Sequence, residues 1–156
     1  MLSGALPVGY WQEHFNMTAL PEAWRAPVHT VHGPSYALAD ALAWKEPHPL
    51  LSARAAELLA TVAPGCAEYR YFCHVKGQPY FVLNVLVAAD LEDPASCPPL
   101  FRRSAQPLSD NLCDVSVPTA IVEAGLTGFC FRDPLQSETR ALFHGEDTNV
   151  FPGVLA

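Results

Sequence analysis

The chain has 156 residues, of which half are hydrophobic and 16% charged, with a formal net charge of −7. The length suits one domain, and a chain of this size buries roughly 70% of its unfolded surface without needing staples. The hydrophobic content argues against intrinsic disorder. The acidic balance, with Lys45 and Lys76 as the only lysines, argues against a phosphate-binding surface and hence against nucleic acid as a partner.

The same charge suits a basic partner, because opposite fields steer encounter. With so few charges available, an apolar patch is expected to remain at the surface. The five cysteines, Cys66, Cys73, Cys97, Cys113 and Cys130, are odd in number and form no CxxC pair, so reduced core thiols are expected rather than a disulfide framework. The N-terminal MLSGALPVGYWQEHF has no basic start followed by a continuous apolar stretch, which is unlike a signal peptide. The longest apolar run, Tyr80 to Ala89, is far shorter than the ~20 residues of a membrane span. A cytoplasmic protein with no membrane partner is the expectation.

In chain order, residues 1–34 mix Trp11 and Trp24 with Pro21, Pro27 and Pro34, and read as extended segments and turns wrapped on a core. Ser35 is placed to cap a helix running through Trp44, and Ser52 to cap a second. Ala55, Leu58, Leu59 and Val62 of the second follow the i, i+3, i+4, i+7 rule, and Pro64-Gly65 stops it. The period then changes. Tyr69, Tyr71, Cys73 and Val75 alternate with Arg70, Phe72, His74 and Lys76, and Gly77-Gln78 offers a turn into the β-prone run from Tyr80. Together these read as an antiparallel hairpin. Its second strand is apolar on both faces and should lie centrally under cover. Short strands are expected at 101–103 and 112–115. A third helix should be capped by Ser116 and ended by Gly125, before a strand over Leu126–Phe131 and a short helix around 137–142. This order suits an α+β fold, a mainly antiparallel sheet with about three helices packed on it.

Chemistry-bearing residues are plentiful but poorly grouped. His29 and His32 lie in a proline-flanked, β-branched segment without a carboxylate or thiol at ligand spacing, so no metal site is expected. Cys73 and His74 are strand neighbours and point to opposite faces. No GxSxG, P-loop or GxGxxG is present. Asp90, Glu92 and Asp93, with Ser96 beside them, form the densest carboxylate group. The loop lacks the glycine and alternation of an EF-hand, and reads as a solvated turn suited to meeting a partner's arginine or lysine. No catalytic residue, cofactor or metal is predicted.

The segments PLLSARAAELL, YFVLNVLVAADLEDPAS, LFRRS and CDVSVPTAIVEAGLTGFCF, between Pro49 and Arg132, resemble the immunity-protein-11 family, small proteins that neutralise toxins of bacterial polymorphic toxin systems. The D…D…S loop and the GLTG turn are its most distinctive parts. The resemblance implies a single domain over residues 1–156, with 1–48 a less regular wrap and 49–132 an α+β core. It implies stoichiometric binding of a cognate protein toxin, not catalysis. Asp90, Glu92, Asp93, Ser96 and Arg102 are the candidate partner-binding residues. Asn84, Gly125 and Gly128 match as structural positions, and an arginine capping the acidic loop is an ordinary structural device as well. A small Cys/His-dependent hydrolase or transferase and a non-enzymatic oligomerising scaffold are the alternatives.

Overall fold

The computed structural model describes residues 2–3, 10–27, 30–31, 38–45, 48–89, 97–103 and 111–131. Its centre is a four-stranded antiparallel sheet. The strands β3 (Ala41–Lys45), β4 (His48–Ser52), β5 (Ala67–Val75) and β6 (Gln78–Val85) lie in the order β3-β4-β6-β5. Helix α2 (Ala53–Val62) joins β4 to β5, and helix α3 (Ser116–Glu123) packs beside it. A second, three-stranded sheet joins β7 (Ala88–Ala89), β8 (Leu100–Arg103) and β9 (Leu112–Cys113), with β7 parallel to β8. The described N-terminal elements are a two-stranded ladder of β1 (Leu2–Ser3) with β2 (Thr30–Val31) and the single helical turn α1 (Tyr10–His14). The architecture is α+β with a largely antiparallel sheet.

Strand β6 is central and covered on both faces, as its doubly apolar sequence requires. Leu83 and Val85 face one side, where they join Leu51 of β4, Ala55, Ala56 and Leu59 of α2, and Val117 and Ile121 of α3. Tyr80 and Val82 face the other, where they join Leu50, Phe72 and Val75 under Phe15, Leu20 and Trp24 of the N-terminal segment. That segment is therefore the second cover of the sheet. Phe15 is fully buried, a contribution of about 2–3 kcal/mol for such a side chain.

Both longer helices have physical end signals. The Ser52 hydroxyl accepts the Ala55 N–H at 3.3 Å and caps α2. At α3 the expected Ser116 cap is not made: Ser116 is the first helical residue, Val115 stands at the N-cap without a side-chain cap bond, and the Asp114 carboxylate accepts the Ser116 N–H at 2.9 Å. At its far end Gly125 adopts φ +62°. The Gly125 N–H reaches the Val122 carbonyl and the Leu126 N–H the Ile121 carbonyl, the paired bonds of a Schellman ending.

Other expectations are corrected. The helix foreseen from Ser35 through Trp44 is not formed over Ala41–Lys45, which is strand β3 paired to β4. Its Ala41 and Leu42 divide between the two cores, as strand neighbours do. Two helices exceed a single turn among the described residues, not about three. Residues 126–131 are irregular, held to β3 by the bond from the Ala41 N–H to the Thr127 carbonyl rather than by a ladder. The short helix around 137–142 lies outside the described residues.

The hairpin turn sits one residue earlier than foreseen. Val75 pairs with Gln78, so Lys76-Gly77 forms the turn, at φ +49° and +78°. Two successive left-handed residues are the mark of a type I′ turn. Within β5 a bulge lies between Tyr71 and Cys73. It shifts the alternation by one, so that Phe72 and Val75 both reach the N-terminal core.

Candidate partner-binding surface

Arg102, one of the candidate contact residues, is fully buried in β8. Its Nη2 donates to His48 Nδ1 at 3.0 Å, its Nε to Asn111 Oδ1 at 2.9 Å and its Nη1 to the Phe15 carbonyl at 3.4 Å. One side chain thus ties the central sheet, the smaller sheet and the N-terminal cover together. It presents no surface to a partner. Because an arginine can only donate, His48 Nδ1 is the acceptor and the imidazole is neutral. Burial, and then the Arg102 charge beside it, lower the His48 pKa to about 3. Burial alone lowers that of Arg102 to about 10, which leaves it charged at neutral pH. His48 is therefore no general base at physiological pH.

A second polar cluster explains two of the family-like segments. The Asp40 carboxylate accepts the Ser52 hydroxyl at 2.8 Å and the Thr127 N–H at 3.0 Å, and pairs with Arg54 Nε at 3.2 Å. Arg54 Nη2 also donates to the carbonyls of Ala124 and Gly125, each at 3.1 Å, at the C-terminal end of α3. The residues of SAR and GLTG therefore meet at one carboxylate. Gly128 is required there: at φ +86° its α-carbon presses on the β3 backbone, so that an added methyl would overlap the Ala41 carbonyl oxygen and lie 2.9 Å from Ala39 Cβ. Asn84 is structural as well. It is fully buried, and its Nδ2 donates to the Thr18 carbonyl and to Glu68 Oε1, which also accepts the Leu20 N–H. This bond set anchors the N-terminal cover.

Two of the partly buried thiols are held protonated. Burial raises the Cys73 pKa, and burial with the Asp114 charge raises that of Cys113 to about 12. Neither supplies the thiolate that nucleophilic catalysis needs. No disulfide joins the described cysteines, and among the described residues no His, Cys, Asp and Glu group could hold a metal ion. The candidate pair His29 and His32 lies outside the described residues. Among those described, no helix is long and apolar enough to cross a membrane.

The open surface lies on α3. Val115 and Val122 are about half exposed, and with exposed Thr119 they form an i, i+4, i+7 stripe opposite the buried Val117 and Ile121. Asp114 borders the start of the stripe and exposed Glu123 its end. Asp90, Glu92, Asp93 and Ser96 lie outside the described residues, but the attachment points of their segment are fixed. The segment follows Ala89, which lies opposite Arg103, and precedes Cys97. Two residues on, the Pro99 carbonyl accepts the Asp114 N–H at 3.1 Å. Pro99 thus lies beside the N-terminus of the stripe. This surface was missed in the sequence because Val115 and Val122 look like ordinary core positions until the orientation of α3 is known. Compared with known proteins, the chain matches no protein-family model, no curated protein and no solved structure.

Proposed function

We propose that this protein is an immunity protein that binds a cognate bacterial toxin one to one and neutralises it without catalysis. The observation that carries the reading is the acid-rimmed valine stripe of α3. An apolar centre with a polar rim is the usual anatomy of a protein interface, and Asp114, Glu123 and the net charge of −7 favour a basic partner. Two further observations agree with it. Ser52, Arg54 and the GLTG turn of the family-like segments are occupied in holding Asp40 or one another, so they support the fold and do not form the contact surface. His48, Cys73 and Cys113 are held in unreactive states, which weighs against a Cys/His hydrolase or transferase.

The test is co-expression with the toxin-like product encoded next to this gene, read by pull-down and by growth. A one-to-one complex with restored growth is expected. Val122→Arg should weaken that complex while leaving the melting temperature unchanged. Absence of both complex and rescue would refute the reading.

A further inference from the structure

Strand β5 forms one outer edge of the central sheet. The phase of its hydrogen bonding is set where the Leu86 N–H meets the Cys66 carbonyl at 2.9 Å. In an antiparallel ladder inward and outward residues alternate. With Glu68 opposite Asn84 and Arg70 opposite Val82, Glu68 and Arg70 bond inward to β6, in phase with the Cys66 carbonyl. Ala67, Tyr69 and Tyr71 turn their N–H and C=O groups outward, and no described backbone group meets them. These residues are partly exposed, and Tyr71 is half exposed. The flat stretch ends at the bulge after Tyr71.

We infer that this edge pairs with β5 of a second copy of the same chain, antiparallel and centred on Tyr69, giving a sheet continuous across a two-fold axis. The register follows from the residues. Outward groups must meet outward groups, and only a centre at Tyr69 uses all of Ala67, Tyr69 and Tyr71 while stopping short of both bulges. That register sets Ala67 opposite the second copy's Tyr71, and Tyr69 opposite its equivalent. On the other face it sets Glu68 opposite the second copy's Arg70, twice over by symmetry. Opposite charges directly across a strand pair stabilise it. The atoms required have capacity left. Glu68 Oε1 is engaged by the Leu20 N–H and by Asn84, but Oε2 has, among the described residues, only its own Arg70 Nη1, 3.9 Å away. Arg70 Nη2 holds the carbonyls of Pro21 and Glu22, leaving Nη1 directed to that carboxylate. A symmetric interface requires this kind of self-complementary strip. The other outer strand, β3, has a register irregularity between Leu42 and Lys45 and offers no comparable flat run.

The test combines sedimentation equilibrium with residue-resolved amide exchange on the full chain over a range of concentration. The mass should double as concentration rises. The Ala67, Tyr69 and Tyr71 amides should gain protection in step with the dimer, while those of Glu68 and Arg70 are protected throughout. Tyr71→Pro removes one outward N–H at an edge position where proline is tolerated, and should abolish the dimer. A monomer at every concentration would overturn the inference. So would a dimer in which those three amides still exchange freely, or protection that appears only when a basic partner protein is added.

Discussion

Replacing Gly128 by alanine tests the claim that the GLTG turn is a fold lock. Gly128 has φ +86°, and forcing an L-residue into left-handed backbone costs about 1–2 kcal/mol. The new methyl also overlaps the Ala41 carbonyl, which belongs to the sheet backbone and cannot swing aside. The turn must therefore lift. That stretches the Ala41–Thr127 backbone bond and the Thr127–Asp40 bond, both 3.0 Å long. A neutral hydrogen bond contributes about 1 kcal/mol and one to a charged group about 1.5–3 kcal/mol. The expected loss is about 4 kcal/mol, a large part of the roughly 5–15 kcal/mol that holds a domain folded. Gly65→Ala is the control. Gly65 has φ +73° but no atom within 4 Å of a built methyl, so only the conformational cost of about 1–2 kcal/mol applies. Urea unfolding of both variants at unchanged m-value measures the difference. If Gly128→Ala costs no more than Gly65→Ala, the close approach to β3 is not what the glycine serves.

Lys76 stands at the first central position of a type I′ turn with φ +49°. Lys76→Asn should therefore raise stability by roughly 0.5 kcal/mol, since asparagine tolerates left-handed backbone, as an increased urea midpoint would show. The folded His48 titrates near 3 rather than near 6.5. Between those values the unfolded chain takes up a proton that the folded protein refuses. Stability should thus fall as pH drops, by about 1.4 kcal/mol per unit, and level off below pH 3. Stability measured at pH 7 and pH 5 should show His48→Gln losing less than the wild type over that interval. With a thiol reagent, exposed Cys130 should react first, buried Cys66 only on unfolding and high-pKa Cys113 slowly; prompt reaction of Cys113 in native protein would contradict its raised pKa.

The parts of the fold legible in the sequence are those in which local and tertiary preferences agree. Helix α2 has a serine cap, an apolar stripe and a Pro-Gly stop, and all three operate. The β5–β6 hairpin declared itself through a change of period and a glycine turn, and β6 through its apolar character on both sides. Strand β3 reads as helix because Ser35 is placed as a cap and Ala41 and Leu42 are good helix formers, and their pairing with β4 overrides that preference. Pro49, a residue that ladders rarely accept, lies within β4. It falls where the β3–β4 register slips, between the Leu42–Leu50 and Lys45–His48 pairs, and there a missing N–H costs little. Arg102 was read as a surface contact because arginine is seldom buried. Its burial depends on His48 and Asn111, partners 54 and 9 residues away, which no local pattern announces. The valine stripe was hidden for the same reason: exposure is set by packing.

The bulge at Phe72 has a consequence for how this fold can vary. One supernumerary residue lets a single strand face the N-terminal cover with its even-numbered positions before the slip and with its odd-numbered ones after it. Deleting that residue would restore a regular ladder with Val75 still opposite Gln78 and still facing Phe15 and Trp24, at the loss of the Phe72 side chain from that core. A chain that shares this architecture but lacks the extra residue keeps the same inward and outward sets beyond it, one position closer in sequence to those before it. Two such chains aligned without a gap at that point would look unrelated along the last third of the strand, although their folded backbones coincide.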